Sequence, residues 1–274
     1  MVVSVAPPIW NTPLFQSPRV TRRSTSFVVL NSSPQPPSGG SARYDISSDI
    51  IGVWRKTAEA DGDLIFAYFQ GGAGNINPTC RIESEKRYTD YKDIGRALCE
   101  HMNEGLDGMR EVPAGKIRVA SEILVAPYNH EDEDKLEQAK EVANAFAQGG
   151  TSASQPLCAK YGFSSAFEAQ AIISRASRPE TGEIPLACYA IGDIAITAAP
   201  FEMFCQTEKQ LREDSPFSFT FTCGYSNDSQ SYMPAAECFE NQGYEVVVCH
   251  YVAGTAELIS ETQLGMLNEL HAAS

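Results

Sequence analysis

The sequence predicts an α/β fold, a mixed sheet flanked by helices, preceded by a disordered N-terminal tail. Three observations point there. Apolar runs of strand length alternate with segments of helical periodicity from about Tyr44 onward. Gly192-Asp193 separates two such runs, Leu186–Ile191 and Ile194–Ala199, as a hairpin turn does. Residues 1–43 contain no Asp or Glu, carry Arg19, Arg22, Arg23 and Arg43, and close on the linker-like run from Ser32 to Gly40. We therefore expect a tail over 1–43, disordered, non-native or of transit-peptide character, and a folded unit over 44–274.

The elements follow in order. Ser47 or Ser48 can cap a helix whose inner stripe is Ile50, Ile51, Trp54 and Ala58. Asp61-Gly62-Asp63 stops it, and Leu64–Phe69 reads as a buried strand. Tyr91–Leu106 is helical, with Ile94, Leu98 and Met102 on one side. Arg118–Pro127 reads as a strand through Val119, Ile123 and Val125. Acids at 131–134 open a helix that Gly149-Gly150 closes; they suit its positive end better than they suit a cation site. A short helix near Ser165–Arg175 is the one clear signal between 150 and 184. After the hairpin come a helix over Phe201–Arg212, a strand over Phe217–Cys223, a short helix over Ala235–Gln242, a strand over Glu245–Tyr251 and a closing helix over Ala256–Leu270.

Composition narrows the function. The 274 residues carry 21 basic and 35 acidic side chains, a net charge of −14, which argues against nucleic acid or an anionic membrane as the main partner. No apolar run approaches the ~20 residues of a membrane-spanning helix. The eight cysteines include no CxxC pair, and several sit in apolar strands as small hydrophobes. Reduced cysteines suggest a cytoplasmic protein.

Three segments at strand ends could carry chemistry. The first is Gly71-Gly72-Ala73-Gly74-Asn75-Ile76-Asn77-Pro78, whose glycines admit close approach of the backbone. It is neither a P-loop nor a GxGxxG fingerprint, and a tight structural turn is its plainer reading. The second is Ile191–Glu202. Glu202, after an apolar strand and Pro200, could hold a metal or act as a base; it could equally be a carboxylate at a helix start. The third runs from Cys223 through Tyr225 and Tyr232-Met233-Pro234 to Gly243-Tyr244-Glu245. Its tyrosines could turn phenols into a cleft, or simply be half-buried packing residues.

The order of these motifs resembles the neutral (non-lysosomal) ceramidase family and its bacterial relatives: a GNINP loop, then Ile-Gly-Asp with an apolar strand and Pro-x-Glu, then Tyr-x-Pro and Gly-Tyr-Glu. The resemblance covers about Asp45 to the C-terminus, including Asp45-Ile46-Ser47-Ser48-Asp49, and looks like the later part of that catalytic domain. It implies hydrolysis of an amide bond in an N-acylated sphingoid base or related lipid, with one zinc held by two histidines, a glutamate and a tyrosine. Glu202 and Tyr232 match the glutamate and tyrosine ligands, and Tyr244 matches a second tyrosine near the reacting carbonyl. Asn75 and Asn77 fall in the catalytic loop, and Gly71, Gly72, Gly74 and Tyr225 are expected to line the substrate cleft.

Two departures accompany the resemblance. Ceramidases resemble GNLSP at the loop, and here Asn77 replaces the serine. An amide cannot be a nucleophile, although it can donate a hydrogen bond. The family histidines lie upstream of the segment matching Asp45–Asp49, and this chain has no histidine before His101. His101, His130, His250 and His271 match none of them. Two functions therefore stand side by side: a zinc-dependent amidase whose metal site is completed by histidines from elsewhere, and a non-catalytic, truncated or degenerate family member that binds at most a partner. An ordinary sugar- or phosphate-binding domain rests on the glycine loop alone.

Overall fold

The computed structural model describes residues 2–6, 17–22, 25–28, 47–60, 64–76, 91–106, 110–112, 115–130, 132–241 and 243–273. Three short strands lie near the N-terminus: β1 (Val2–Ala6), β2 (Ser17–Arg22) and β3 (Thr25–Val28). They join β4 (Leu64–Phe66) and β5 (Arg110–Val112) in a sheet of order β4-β3-β2-β1-β5. The linker run Ser32–Gly40, the helix stop Asp61–Asp63, Asn77 and Cys80 lie outside the described residues.

Between these strands sit α1 (Asp49–Ala58) and α2 (Tyr91–Leu106), as their apolar stripes predict. Trp54, Phe66, Cys99 and Met102 form a local core. The entry to α1 is tied by Ser47 rather than Ser48: its Oγ accepts the Asp49 N–H at 3.0 Å.

A second, four-stranded sheet organises the rest of the chain. It consists of β6 (Ile117–Pro127), β7 (Thr181–Ile191), β8 (Ile194–Ala198) and β10 (Phe219–Cys223), in the order β10-β8-β7-β6. The expected hairpin joins β7 to β8, with Gly192 at φ 60° supplying the left-handed backbone that a two-residue turn needs. β10 runs parallel to β8 while the other pairs are antiparallel, so the sheet is mixed.

Helices cover one face of this sheet. The closing helix α7 (Thr255–Ala272) packs Ile259, Met266, Leu267 and Leu270 on Ile184, Leu186, Cys188 and Ala190 of β7 and Ala195 of β8. A separate core joins α3 (Leu136–Tyr161) and α4 (Ala166–Ala176) through Ala139, Val142, Cys158 and Ile172. Gly149 and Gly150 break α3 where the sequence places a helix end, but the helix resumes beyond them to Tyr161. Ser165 caps α4 by accepting the Glu168 N–H.

Two expectations need correction. The helix expected over Phe201–Arg212 is split: strand β9 (Glu202–Met203) comes first and α5 (Cys205–Asp214) follows. The strand expected over Glu245–Tyr251 is the single turn α6 (Tyr244–Val247), with Tyr251 in an isolated bridge to Tyr128. Each departure lies at the sheet end where the motif residues gather. The short helix expected over Ala235–Gln242 is present as a 3-10 helix, Ala236–Asn241.

Candidate functional site

The site is built at the C-terminal ends of β8 and β10, where chains leaving parallel strands often meet ligands. After β8 the chain passes Pro200 into β9, and after β10 it loops back as β11 (Tyr232–Met233). β9 and β11 pair in parallel, with Glu202 in register with Tyr232 and Met203 with Met233. The Glu202 N–H donates to the Ser231 carbonyl at 3.0 Å, and the Phe204 N–H to the Met233 carbonyl at 3.3 Å. Glu202 is thus a strand residue three positions before α5 begins, which removes the alternative of a carboxylate serving a helix start.

The glycine-rich loop closes on this two-stranded ribbon. Gly74 N–H donates to the Met203 carbonyl at 2.9 Å, and a Cβ at Gly74 would lie 2.6 Å from the Glu202 carbonyl oxygen. Only glycine lets the two backbones meet so closely. Asn75 locks the loop to α5: its side-chain oxygen accepts the Cys205 N–H at 3.0 Å and its amide donates to Gln206 at 2.8 Å. Gly71, Gly72 and Gly74 are buried.

Beneath the loop lies Glu208, a fully buried carboxylate on the inner side of α5. It accepts the Gly72 N–H and the Thr222 hydroxyl, the latter at 2.5 Å. Arg212, which donates to Thr222 Oγ1 at 3.1 Å, stands beside it. Burial pushes the Glu208 carboxyl up to about 7, against the hydrogen bonds and the Arg212 charge that hold it down. Sequence reading did not single out Glu208, because a glutamate inside a polar helix reads as a solvated one. Its only signal is position: it lies in the first turn of α5, on the side facing Thr222.

The polar cluster itself is phenolic. Glu202 stands beside the phenols of Tyr225 and Tyr232. Burial first, then the adjacent Glu202 charge, pushes the Tyr232 phenol up to about 12. Burial first, then the neighbouring Glu202 carboxylate, pushes Tyr225 up as well. Tyr244, at the start of α6, sets its ring edge-on to Tyr232 at 6.0 Å and to Phe167 of α4 at 6.3 Å. The loop carrying these groups holds Tyr225, Asn227 and Ser231 at φ 51°, 71° and 82°. Left-handed backbone at non-glycine residues costs about 1–3 kcal/mol each and concentrates where a site dictates geometry.

Of the residues singled out in the sequence, Glu202, Tyr225, Tyr232 and Tyr244 and the loop Gly71–Asn75 are neighbours, while Asn77 is outside the described residues. The histidines are elsewhere. His101 pairs with Glu104 on α2, and His130 with Glu133 and the Pro179 carbonyl. His271 lies against Phe217. His250 is half-buried beside Arg175 and Arg178, whose charges reinforce the burial that holds it near 4. Among the described residues no group of three or more His, Cys, Asp or Glu side chains could hold a metal ion. Glu202 and Tyr232 offer oxygen donors that zinc accepts, but a zinc site takes three or more protein ligands. The described residues therefore do not make a zinc site by themselves. The seven described cysteines are free thiols, and no described helix is long and apolar enough to cross a membrane.

This arrangement, a mixed sheet flanked by helices with a carboxylate–phenol cluster at its end, has the fold of neutral ceramidases. A solved ceramidase complexed with C2 superimposes on 94% of this chain with a TM-score of 0.64 at 14% identity. The neutral ceramidase from Pseudomonas aeruginosa does so over 94% of the chain with a TM-score of 0.62 at 16% identity. The match spans 48% and 46% of those two proteins, so this chain covers about half their length. No protein-family model and no curated protein matches the sequence.

Proposed function

We propose that this chain supplies the carboxylate–phenol side of an amide-hydrolysing site of the neutral-ceramidase type, acting on N-acylsphingosine or a related lipid amide. One observation carries the reading: Glu202, Tyr225, Tyr232 and Tyr244 meet at one end of a ceramidase-like sheet. Tyr244, half-exposed and braced by two aromatic rings, donates a hydrogen bond to the amide oxygen as negative charge develops there. Glu202, beside the Tyr225 and Tyr232 phenols, keeps them protonated by its charge. Asn75 acts through the loop it anchors, and Asn77 serves as a donor rather than a nucleophile. The buried glycines Gly71, Gly72 and Gly74 form the floor on which the substrate lies.

Zinc is the cofactor that the reading implies, acting as a Lewis acid when bound. Its histidine ligands come from polypeptide beyond this chain's residues. The test is hydrolysis of a fluorescent N-acylsphingosine by the protein isolated from its natural source, in whatever assembly it occurs. Tyr244→Phe is expected to lower kcat by about 100-fold with little change in KM, as loss of one oxyanion donor does. Equal activity of the variant removes Tyr244 from the chemistry.

The second reading, a non-catalytic member that keeps the fold, draws on a separate observation: among the described residues no group of three or more His, Cys, Asp or Glu side chains could hold a metal ion. Under it, the native assembly hydrolyses no lipid amide even with zinc supplied.

A further inference from the structure

Strand β6 forms one margin of the four-stranded sheet, and its outer edge pairs with no described strand. The direction of its backbone groups follows from two facts. Tyr128, in register with Glu180, donates its N–H to the Glu180 carbonyl at 3.0 Å, so even-numbered residues of this strand bond inward to β7. Ile123 faces Pro185, which has no N–H to exchange. The N–H and C=O groups of Ile117, Val119, Ser121, Ile123 and Val125 therefore point outward. The free stretch ends at Pro127, whose carbonyl accepts the Val252 N–H at 3.4 Å.

The same odd-numbered residues turn their side chains away from α7. Ile117, Val119, Ile123 and Val125 are 68%, 58%, 55% and 55% exposed. Natural edge strands are usually short, bulged, or guarded by charge or proline. This one has 11 residues, is unbulged against β7, and presents β-branched side chains on that face.

The pattern is also symmetric. Reading outward from Ser121, Val119 balances Ile123 and Ile117 balances Val125. An antiparallel copy of the strand centred on Ser121 sets Val119 opposite Ile123 and Ile117 opposite Val125. Every outward N–H then meets a carbonyl, because all the paired residues are odd-numbered. A shift by one pair in either direction puts Ser121 opposite a branched apolar residue and loses the match. On the other face, this register brings Arg118 diagonal to Glu122 of the second copy, within reach of a long side chain.

We propose that β6 is a self-association edge: two copies of this chain pair through it, antiparallel about Ser121, joining their sheets into one continuous sheet. The occupant is a second copy because the edge complements itself in both hydrogen-bond phase and side-chain pattern. Such an isologous contact closes on itself and stops at a dimer. The proposal is independent of the amidase reading.

Sedimentation velocity on the full chain at micromolar concentration tests it, with Val119→Lys, Ile123→Glu and the double variant. The substituted side chains are exposed, so far-ultraviolet circular dichroism should be unchanged. The wild type is expected to sediment with the mass of two chains and each single variant with the mass of one. The double variant should return to two, since Lys at 119 then faces Glu at 123 of the other copy. Amide exchange at Val119, Ser121 and Ile123 should slow as concentration rises. A monomeric wild type, open-ended association, a dimer that neither single variant dissolves, or a double variant that stays monomeric would each overturn the proposal. A monomer is also what results if another polypeptide covers this edge in its natural setting.

Discussion

Glu202 stands beside two phenols, and that makes its charge visible in theirs. Replacing it with glutamine removes the negative charge but keeps an acceptor. The Tyr232 phenol, now held near 12, should then ionise at lower pH, though not at the ordinary value of about 10, because burial is the larger cause of its shift. An ultraviolet titration of tyrosinate, Glu202→Gln against wild type, reads this directly; an unchanged profile means that the two side chains do not interact. Glu208 gives a second handle. Its folded-state value of about 7 exceeds the ordinary 4.5, so the folded protein holds more protons between those two limits. Stability is then lost as pH rises from about 4.5 to 7 and levels off above. Chemical denaturation should find Glu208→Gln level with wild type near pH 5 and more stable near pH 8 by about 2 kcal/mol. His250 works in the opposite sense: buried and held near 4, it adds stability as pH rises from about 4 to 6.5. Glu202 was legible from its place after Pro200, and Tyr232 and Tyr244 from their motifs. Glu208 was not, since its importance arises from Gly72 and Thr222, which are distant in sequence.

At the scale of elements, the site depends on short pieces held by long-range contacts. β9 and β11 are two residues each, too short to leave a periodic signature, and they exist because Gly74, Ser231 and the Phe204 amide bond them. Gly74→Ala would drive a methyl group into the Glu202 carbonyl. It is expected to destabilise the fold by about 1–3 kcal/mol in urea unfolding, the range of an overpacked contact. α6 shows why the C-terminal strand was misread. Val246-Val247-Val248 is a β-branched run and favours extended backbone, yet Val247 and Val248 donate to the carbonyls of Gly243 and Tyr244. Arg175, 4% exposed, completes the turn by donating to the Val247 carbonyl at 2.7 Å, with the Cys249 carbonyl at 3.4 Å. Arg175→Met should therefore cost about 2–3 kcal/mol, since it strands buried carbonyls. It should also loosen Tyr244, measurable as faster amide exchange over 244–249 than elsewhere. The longer elements needed no such help: the stripes of α1 and α2 and the β7–β8 hairpin are written in local sequence.

At the scale of the molecule, the chain has a ceramidase-like fold and spans about half the length of the two solved ceramidases it matches. The α/β class was readable from alternating periodicities. The strand order β10-β8-β7-β6 was not, because parallel pairing of β8 with β10 is decided by α5 packing between them in sequence and by the core beneath, not by any local signal. Nor could sequence tell that Val119, Ile123 and Val125, the apolar residues that mark this strand, face outward. That no histidine precedes His101 was legible in the sequence, and among the described residues no group of three or more His, Cys, Asp or Glu side chains could hold a metal ion. Zinc per chain, by elemental analysis after dialysis of the protein from its natural source, is the most direct test. One zinc per chain is expected in the native assembly, lost on Glu202→Ala, with only weak zinc binding by this chain alone. Native protein free of zinc, or zinc retained by Glu202→Ala, would contradict the assignment of Glu202 and Tyr232 to a metal-dependent amidase site.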